Sequence, residues 1–127
     1  MIVVLDTCAL LWLTLEPEAL SGKAHRAISS AERVLASAIS IWEIGVKAKR
    51  KRLDLGATFT DYANRVAAAS DIELLPIDPK LLVQTVELDW DHRDPADRII
   101  VSLARGLDAT IVTDDKAIKD FYRRTVS

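Results

Sequence analysis

Four short apolar runs rich in β-branched residues, Ile2–Leu5, Val34–Ala36, Ile72–Leu75 and Thr110–Thr113, constrain the fold of this chain more than any other feature. None alternates apolar with polar residues as a strand with one wet face does. Each therefore reads as a strand covered on both sides, and together they predict a parallel sheet. Between them lie stretches that read as helices: Cys8–Leu15, Gly22–Ala31, Ser40–Arg52, Thr58–Ala69, Pro79–Leu88, Pro95–Arg105 and Lys116–Arg123. Most carry apolar residues at i, i+3 and i+4, the stripe that docks a helix on a sheet. Alternating strands and helices predict an α/β sandwich with right-handed crossovers. No linker, repeat or low-complexity tract divides the 127 residues, so residues 1–127 are expected to form one domain.

Composition narrows the possible functions. Half of the residues are hydrophobic and 28% are charged, the balance of a folded globular chain. Cys8 is the one cysteine, which excludes an internal disulfide and a thiolate zinc cage and suits a reducing compartment. Met-Ile-Val-Val-Leu-Asp at the start has no basic region ahead of its apolar run. No stretch of about 18 apolar residues occurs either. A cytoplasmic protein, neither secreted nor membrane-spanning, is expected. The net charge of −2 gives no global attraction for a polyanion, so any nucleic-acid contact has to be local or metal-assisted.

In open parallel sheets the ligand crevice lies at the carboxyl ends of the strands, and four segments bring acids there. Asp6 follows the first strand directly and, alone, is explained as a helix N-cap. Glu43 sits in Ser40-Ile41-Trp42-Glu43, which has capping-box spacing, and Lys47 four residues on is a possible partner. Ile39, Ile41, Trp42, Ile44 and Val46 surround it, so this turn is expected to be partly buried. In His92-Arg93-Asp94-Pro95-Ala96-Asp97-Arg98, Asp94 reads as N-cap, Pro95 as the first helical residue and Asp97 as the third. Ile100, Val101 and Ala104 extend the column of Asp97 along an apolar face, which turns Asp97 inward. Arg98 is a competing salt-bridge partner for it. Thr113-Asp114-Asp115 ends the last strand. One of its acids is enough to cap the next helix, and spacing favours Asp115 as the inward, surplus one.

Each acid alone has a structural explanation; their convergence on one edge of one sheet does not. Carboxylates sharing a small site repel one another unless a cation compensates. An oxygen-only donor set suits magnesium or manganese, whereas zinc favours His or Cys. His25 and His92 read as solvent-facing or local hydrogen-bonding residues. Lys47, Lys49, Arg50, Lys51 and Arg52 form the only dense basic run. It fits the negative end of a helix dipole as well as it fits an RNA backbone. Arg93, Arg98 and Arg105 are further candidates for phosphate contact. Leu10, Leu11, Trp12, Leu13 and Leu15 make the first helix more apolar than one sheet-facing stripe requires, which leaves surface for a partner.

Leu5-Asp6-Thr7-Cys8-Ala9-Leu10-Leu11-Trp12, Ser37-Ala38-Ile39-Ser40-Ile41-Trp42-Glu43-Ile44, the segment His92–Arg98 and Val112-Thr113-Asp114-Asp115, in this order, resemble a PIN-domain ribonuclease of the VapC toxin type. The resemblance spans nearly the whole chain. It implies a PIN-like three-layer sandwich with a central, mainly parallel sheet flanked by helices. It also implies a magnesium site (Mg2+, with Mn2+ an alternative) made of Asp6, Glu43, Asp97 and Asp115. Thr7, Thr113, Asp94 and Asp114 would support it, and Lys47, Lys49, Arg50, Arg93 and Arg98 would contact RNA. In two places the sequence departs from the pattern. Cys8 stands where many relatives of this subgroup have His, and the pair Asp114–Asp115 leaves two choices for the fourth acid.

The implied activity is hydrolysis of RNA phosphodiester bonds by the toxic half of a type II toxin–antitoxin pair. A homodimer and a VapB-like or other small antitoxin are the implied partners. Three other readings compete with this one. A receiver-like signalling domain needs a phosphoacceptor Asp at a middle strand's end, where only the displaced Asp78 occurs. A phosphatase with an Asp nucleophile needs an acid two residues after Asp6, where Cys8 stands. A catalytically silent binding module would use the acids only to cap helices.

Overall fold

The computed structural model describes residues 1–127. Strands β1 (Ile2–Leu5), β2 (Arg33–Ser37), β3 (Glu73–Leu75), β4 (Thr110–Val112) and β5 (Thr125–Val126) form one sheet in the order β3-β2-β1-β4-β5. Every pairing is parallel. The helices are α1 (Thr7–Leu15), α2 (Gly22–Ser30), α3 (Ala38–Lys49), α4 (Phe59–Ala68), α5 (Pro79–Val86), α6 (Pro95–Leu107) and α7 (Lys116–Phe121).

The pleat explains the continuous apolar runs. Val3 and Leu5 of β1 join Ala36, Leu10, Ala24, Ile44, Tyr62 and Val66 in one core, beneath α1 to α4. Val4, between them, points the other way and joins Leu35, Ile111, Ile100, Val101 and Ala104 in a second core beneath α6 and α7. Both faces of β1 are covered, and all four of its residues are apolar. This is the expected three-layer sandwich. Leu5, Leu10, Leu35, Ile44, Ile100, Ile111 and Ile118 are fully buried, each worth about 1.5–3 kcal/mol relative to exposure. No helix is long and apolar enough to cross a membrane.

Three features differ from the expectations. β5 is an additional edge strand, only two residues long and preceded by two arginines. It carries no apolar run, because its place is set by backbone bonds such as Thr113 N–H to the Val126 carbonyl at 2.9 Å. A 3-10 turn at Pro17–Ala19 joins α1 to α2. The surplus apolar surface is not on α1: Leu11, Trp12 and Leu13 pack against the first core, and only Leu15 is exposed. The other exposed large apolar residues are Met1, Trp42, Phe59 and, on α5, Leu82, Val83 and Val86.

Candidate active site

The strand order reverses direction at β1, with β2 and β3 to one side and β4 and β5 to the other. The crevice of a parallel sheet opens at such a switch point. Leu5 and Val112 are in register, so Asp6 and Thr113 leave the sheet side by side. Asp6 is 6% exposed. Its Oδ1 accepts the Ala9 N–H at 2.8 Å, capping α1, and its Oδ2 accepts the Thr113 hydroxyl. The Thr113 oxygen in turn accepts the Asp115 N–H at 3.0 Å, and Asp115 Oδ1 caps α7 through the Ile118 N–H at 3.0 Å.

The start of α6 supplies the next two acids. Asp94 Oδ1 accepts the Asp97 N–H at 3.0 Å, and Pro95 occupies the position whose N–H needs no partner. Asp97 Oδ2 receives His92 Nε2 at 2.8 Å. The competing Asp97–Arg98 salt bridge does not form. The Arg98 guanidinium reaches back instead to the carbonyls of Trp90, His92 (2.9 Å), Thr85 (2.9 Å), Val86 (3.4 Å) and Leu88 (3.2 Å). Arg98 therefore ties the α5–α6 connection to α6 with both Nη1 and Nη2 engaged by carbonyls, which counts against its assignment as an RNA contact.

On α3 the expected capping box is absent. Ser37, at the end of β2, caps the helix through the Ile39 N–H at 3.2 Å, so Ser40 falls inside the first turn. There it is fully buried, with its hydroxyl 2.9 Å from that of Thr7, which joins α3 to α1. This turn is also more open than expected, since Trp42 is 64% exposed. Glu43 and Lys47 are half-buried and form no ion pair with each other or any other residue.

These segments meet around a cavity of about 350 Å³. Asp6, Glu43, Asp94, Asp97, Asp114 and Asp115 line it, with Thr7, Cys8, Trp12 and Lys47. Six acids thus face a single lysine. A cavity of similar volume between α5 and α6, lined by Gln84, Glu87, Leu88, Ser102, Arg105 and Gly106, holds one acid and one base and has no comparable field. Burial raises the pKa of Asp6 against the lowering effect of its bonds from Thr113 and Ala9, and Asp115 and Asp114 raise it further. Asp97 is pushed up to about 6, first by burial and then by Asp94 and Asp115, despite the lowering effect of the His92 bond. Each shift reports negative charge held where water is scarce.

The family model of the PIN domain matches residues 3–124. The chain belongs to the PIN domain family. It is 29% identical over 118 residues to Ribonuclease VapC22 of Mycobacterium tuberculosis, covering 92% of this chain and 89% of that one. Among solved structures it resembles VapC20 of the same organism, described as a sarcin-ricin loop cleaving toxin. The TM-score is 0.68 at 17% identity, over 93% of each chain. It also resembles a toxin–antitoxin complex from Klebsiella pneumoniae, with TM-score 0.67 and 19% identity over 98% of this chain and 96% of that one. The last two likenesses establish the fold.

In this PIN domain the acids line one cavity, yet no three histidine, cysteine or acidic side chains are gathered into a ready metal cage. The side chains lining the cavity nonetheless offer an all-oxygen donor set, the kind that a hard cation such as magnesium takes through one or two carboxylates while keeping most of its waters. Asp6 Oδ2, Asp97 and the carboxylates of Asp114, Asp115 and Glu43 are the donors that could hold it, all oxygen. The expected cap and surplus acid exchange places in the last pair: Asp115 is the cap and is exposed rather than inward, and Asp114 is also exposed, with Lys119 Nζ at 4.0 Å. Lys47 lines the cavity, whereas Lys49, Arg50 and Arg93 are exposed outside it. Sequence reasoning set His92 aside as a local hydrogen-bonder; its bond is local, but to a site carboxylate. The signal lay in the five-residue spacing to Asp97.

Proposed function

We propose that this PIN domain is a metal-dependent endoribonuclease and the toxic half of a type II toxin–antitoxin module. The observation that carries the reading is the convergence of six carboxylates from four separate segments on one cavity, with Asp6 held there almost fully buried. The similarity to a ribonuclease over most of both chains supports it.

When bound, a magnesium or manganese ion supplies the charge that activates water and stabilises the phosphoryl oxygens. Asp6 and Asp97 would hold the ion, and Asp115 and Asp114 would hold it directly or through water. Glu43, on α3 in the lining of the same cavity, would bind the ion or orient the attacking water. Lys47 offers a fixed positive charge to the scissile phosphate, and Lys49 and Arg50 follow the RNA backbone along α3. The products are a 5′-phosphate and a 3′-hydroxyl. His25 Nε2 is engaged with the Pro17 carbonyl at 2.7 Å and His92 with Asp97. The pair of histidines that metal-free cleavage through the 2′-hydroxyl often uses is not available.

A VapB-like or other small antitoxin is the proposed protein partner, in line with the toxin–antitoxin complex of like fold. The homodimer is proposed through α5. Leu82, Val83 and Val86 form one exposed apolar stripe, and Lys80 and Glu87 at its ends would face each other in an antiparallel pair of α5 helices.

The opposing reading, a silent module, draws on the capping bonds of Asp6, Asp94 and Asp115. Expression of the wild type, Asp6→Ala and Asp97→Ala, followed by sequencing of RNA 5′-phosphate ends, separates the two. New ends and growth arrest in the wild type alone are expected. Equal cleavage and arrest in all three would defeat the catalytic assignment.

A further inference from the structure

The connection between α5 and α6 has no regular structure, yet it is held at three points. Arg98 bonds the carbonyls of Trp90 and His92. The Trp90 ring stacks on Phe121 at the end of α7, with centroids 4.7 Å apart and planes 9° apart. The His92 ring also stacks on Trp90, with centroids 4.6 Å apart and planes at 29°. Asp94 independently caps α6. The loop and the helix start are thus fixed without the bond from His92 Nε2 to Asp97 Oδ2 at 2.8 Å. That bond has one remaining effect, on the Asp97 carboxylate itself. Since an ionised carboxylate only accepts, Nε2 is the donor in this bond.

We propose that His92 is a positioning residue of the metal site: clamped by Trp90, it holds Oδ2 of Asp97 and leaves Oδ1 as the oxygen presented to the cation. The inference deepens the metal-dependent reading and rests on it. Outer-shell donors of this kind act by fixing a ligand's orientation, so that less freedom is lost when the ion binds.

The test is calorimetric titration of the full chain with Mn2+. His92→Phe keeps an aromatic ring on Trp90 and removes the donor. His92→Gln loses the ring and keeps an amide N–H at similar reach. The first is expected to weaken Mn2+ binding by about 10- to 100-fold with a metal-free melting temperature near that of the wild type, and the second to bind nearly as the wild type does. His92→Ala replaces the phenylalanine variant should that one not fold. Wild-type affinity in the variant lacking the donor overturns the inference while Asp97→Asn still loses Mn2+. If Asp97→Asn binds as the wild type does, the metal-site reading fails, and this inference with it.

Discussion

The Thr113 hydroxyl donates to Oδ2 of Asp6, joining the ends of β4 and β1 across 107 residues of sequence. Its oxygen also accepts the Asp115 N–H, so one side chain organises two of the site's acids. Thr113 is 2% exposed, and neither contact is replaceable by water without opening the core.

Thr113→Val keeps the shape and removes the hydroxyl, leaving Asp6 Oδ2 and the Asp115 N–H without their partner. The expected cost is about 1–3 kcal/mol in urea unfolding at neutral pH, together with weaker Mn2+ binding. Thr113→Ser should recover most of both, and an unchanged unfolding midpoint in the valine variant would refute the organising role.

Asp6 carries its charge in a place that disfavours it, since burial outweighs the two bonds it accepts. Asp6→Asn keeps an oxygen for the Ala9 N–H and discards the charge. Without metal this variant should melt no lower than the wild type at neutral pH, while Mn2+ binding and RNA cleavage fall to background. A large drop in melting temperature would make Asp6 chiefly a structural cap.

Asp97 gives a pH dependence with a definite sign. Folded, its carboxyl keeps a proton up to about pH 6; unfolded, it releases it near 3.8. Between these values the folded state binds more protons, so stability is greatest below the window and is lost as pH rises through it. The loss is on the order of 2–3 kcal/mol. Thermal melts in EDTA from pH 4 to 7 should show it, and saturating Mn2+ should flatten it, because a bound cation favours the ionised form. Melts that are flat in EDTA would contradict the shift.

Arg98 and the α3 cations should separate by experiment. Arg98→Lys loses the fork that reaches several carbonyls and should destabilise the fold by about 1–3 kcal/mol, with no change in the salt dependence of RNA affinity. Lys49→Ala and Arg50→Ala should leave stability alone and lower the slope of log affinity against log salt by about 0.7 for each phosphate contact removed. An unchanged slope in both would return these residues to a purely dipole-balancing role.

Much of this molecule was legible one residue at a time. The unbroken apolar runs announced strands buried on both faces because parallel strands between two helical layers have no wet side, and Val3, Val4 and Leu5 bear this out. Asp94-Pro95 marked the start of α6 because cap and first-turn chemistry depend only on near neighbours. What the tertiary structure decided depends on residues far apart in the chain. Ser40 looked like a cap because its spacing to Glu43 is local, but Ser37 at the end of β2 took that role and left Ser40 to meet Thr7. Arg98 looked free or paired with Asp97 until a loop folded back and offered it five carbonyls. Likewise β5 is a strand because it pairs with the free edge of β4; Thr125 and Val126 favour extended backbone, but a run of two is too short to mark a strand by itself. The sequence alone determined the layers and the pool of acids, since burial and capping are short-range in cause. Which oxygens are tied down and which face the cavity was decided by folding, because only there do distant side chains compete for the same hydrogen bonds.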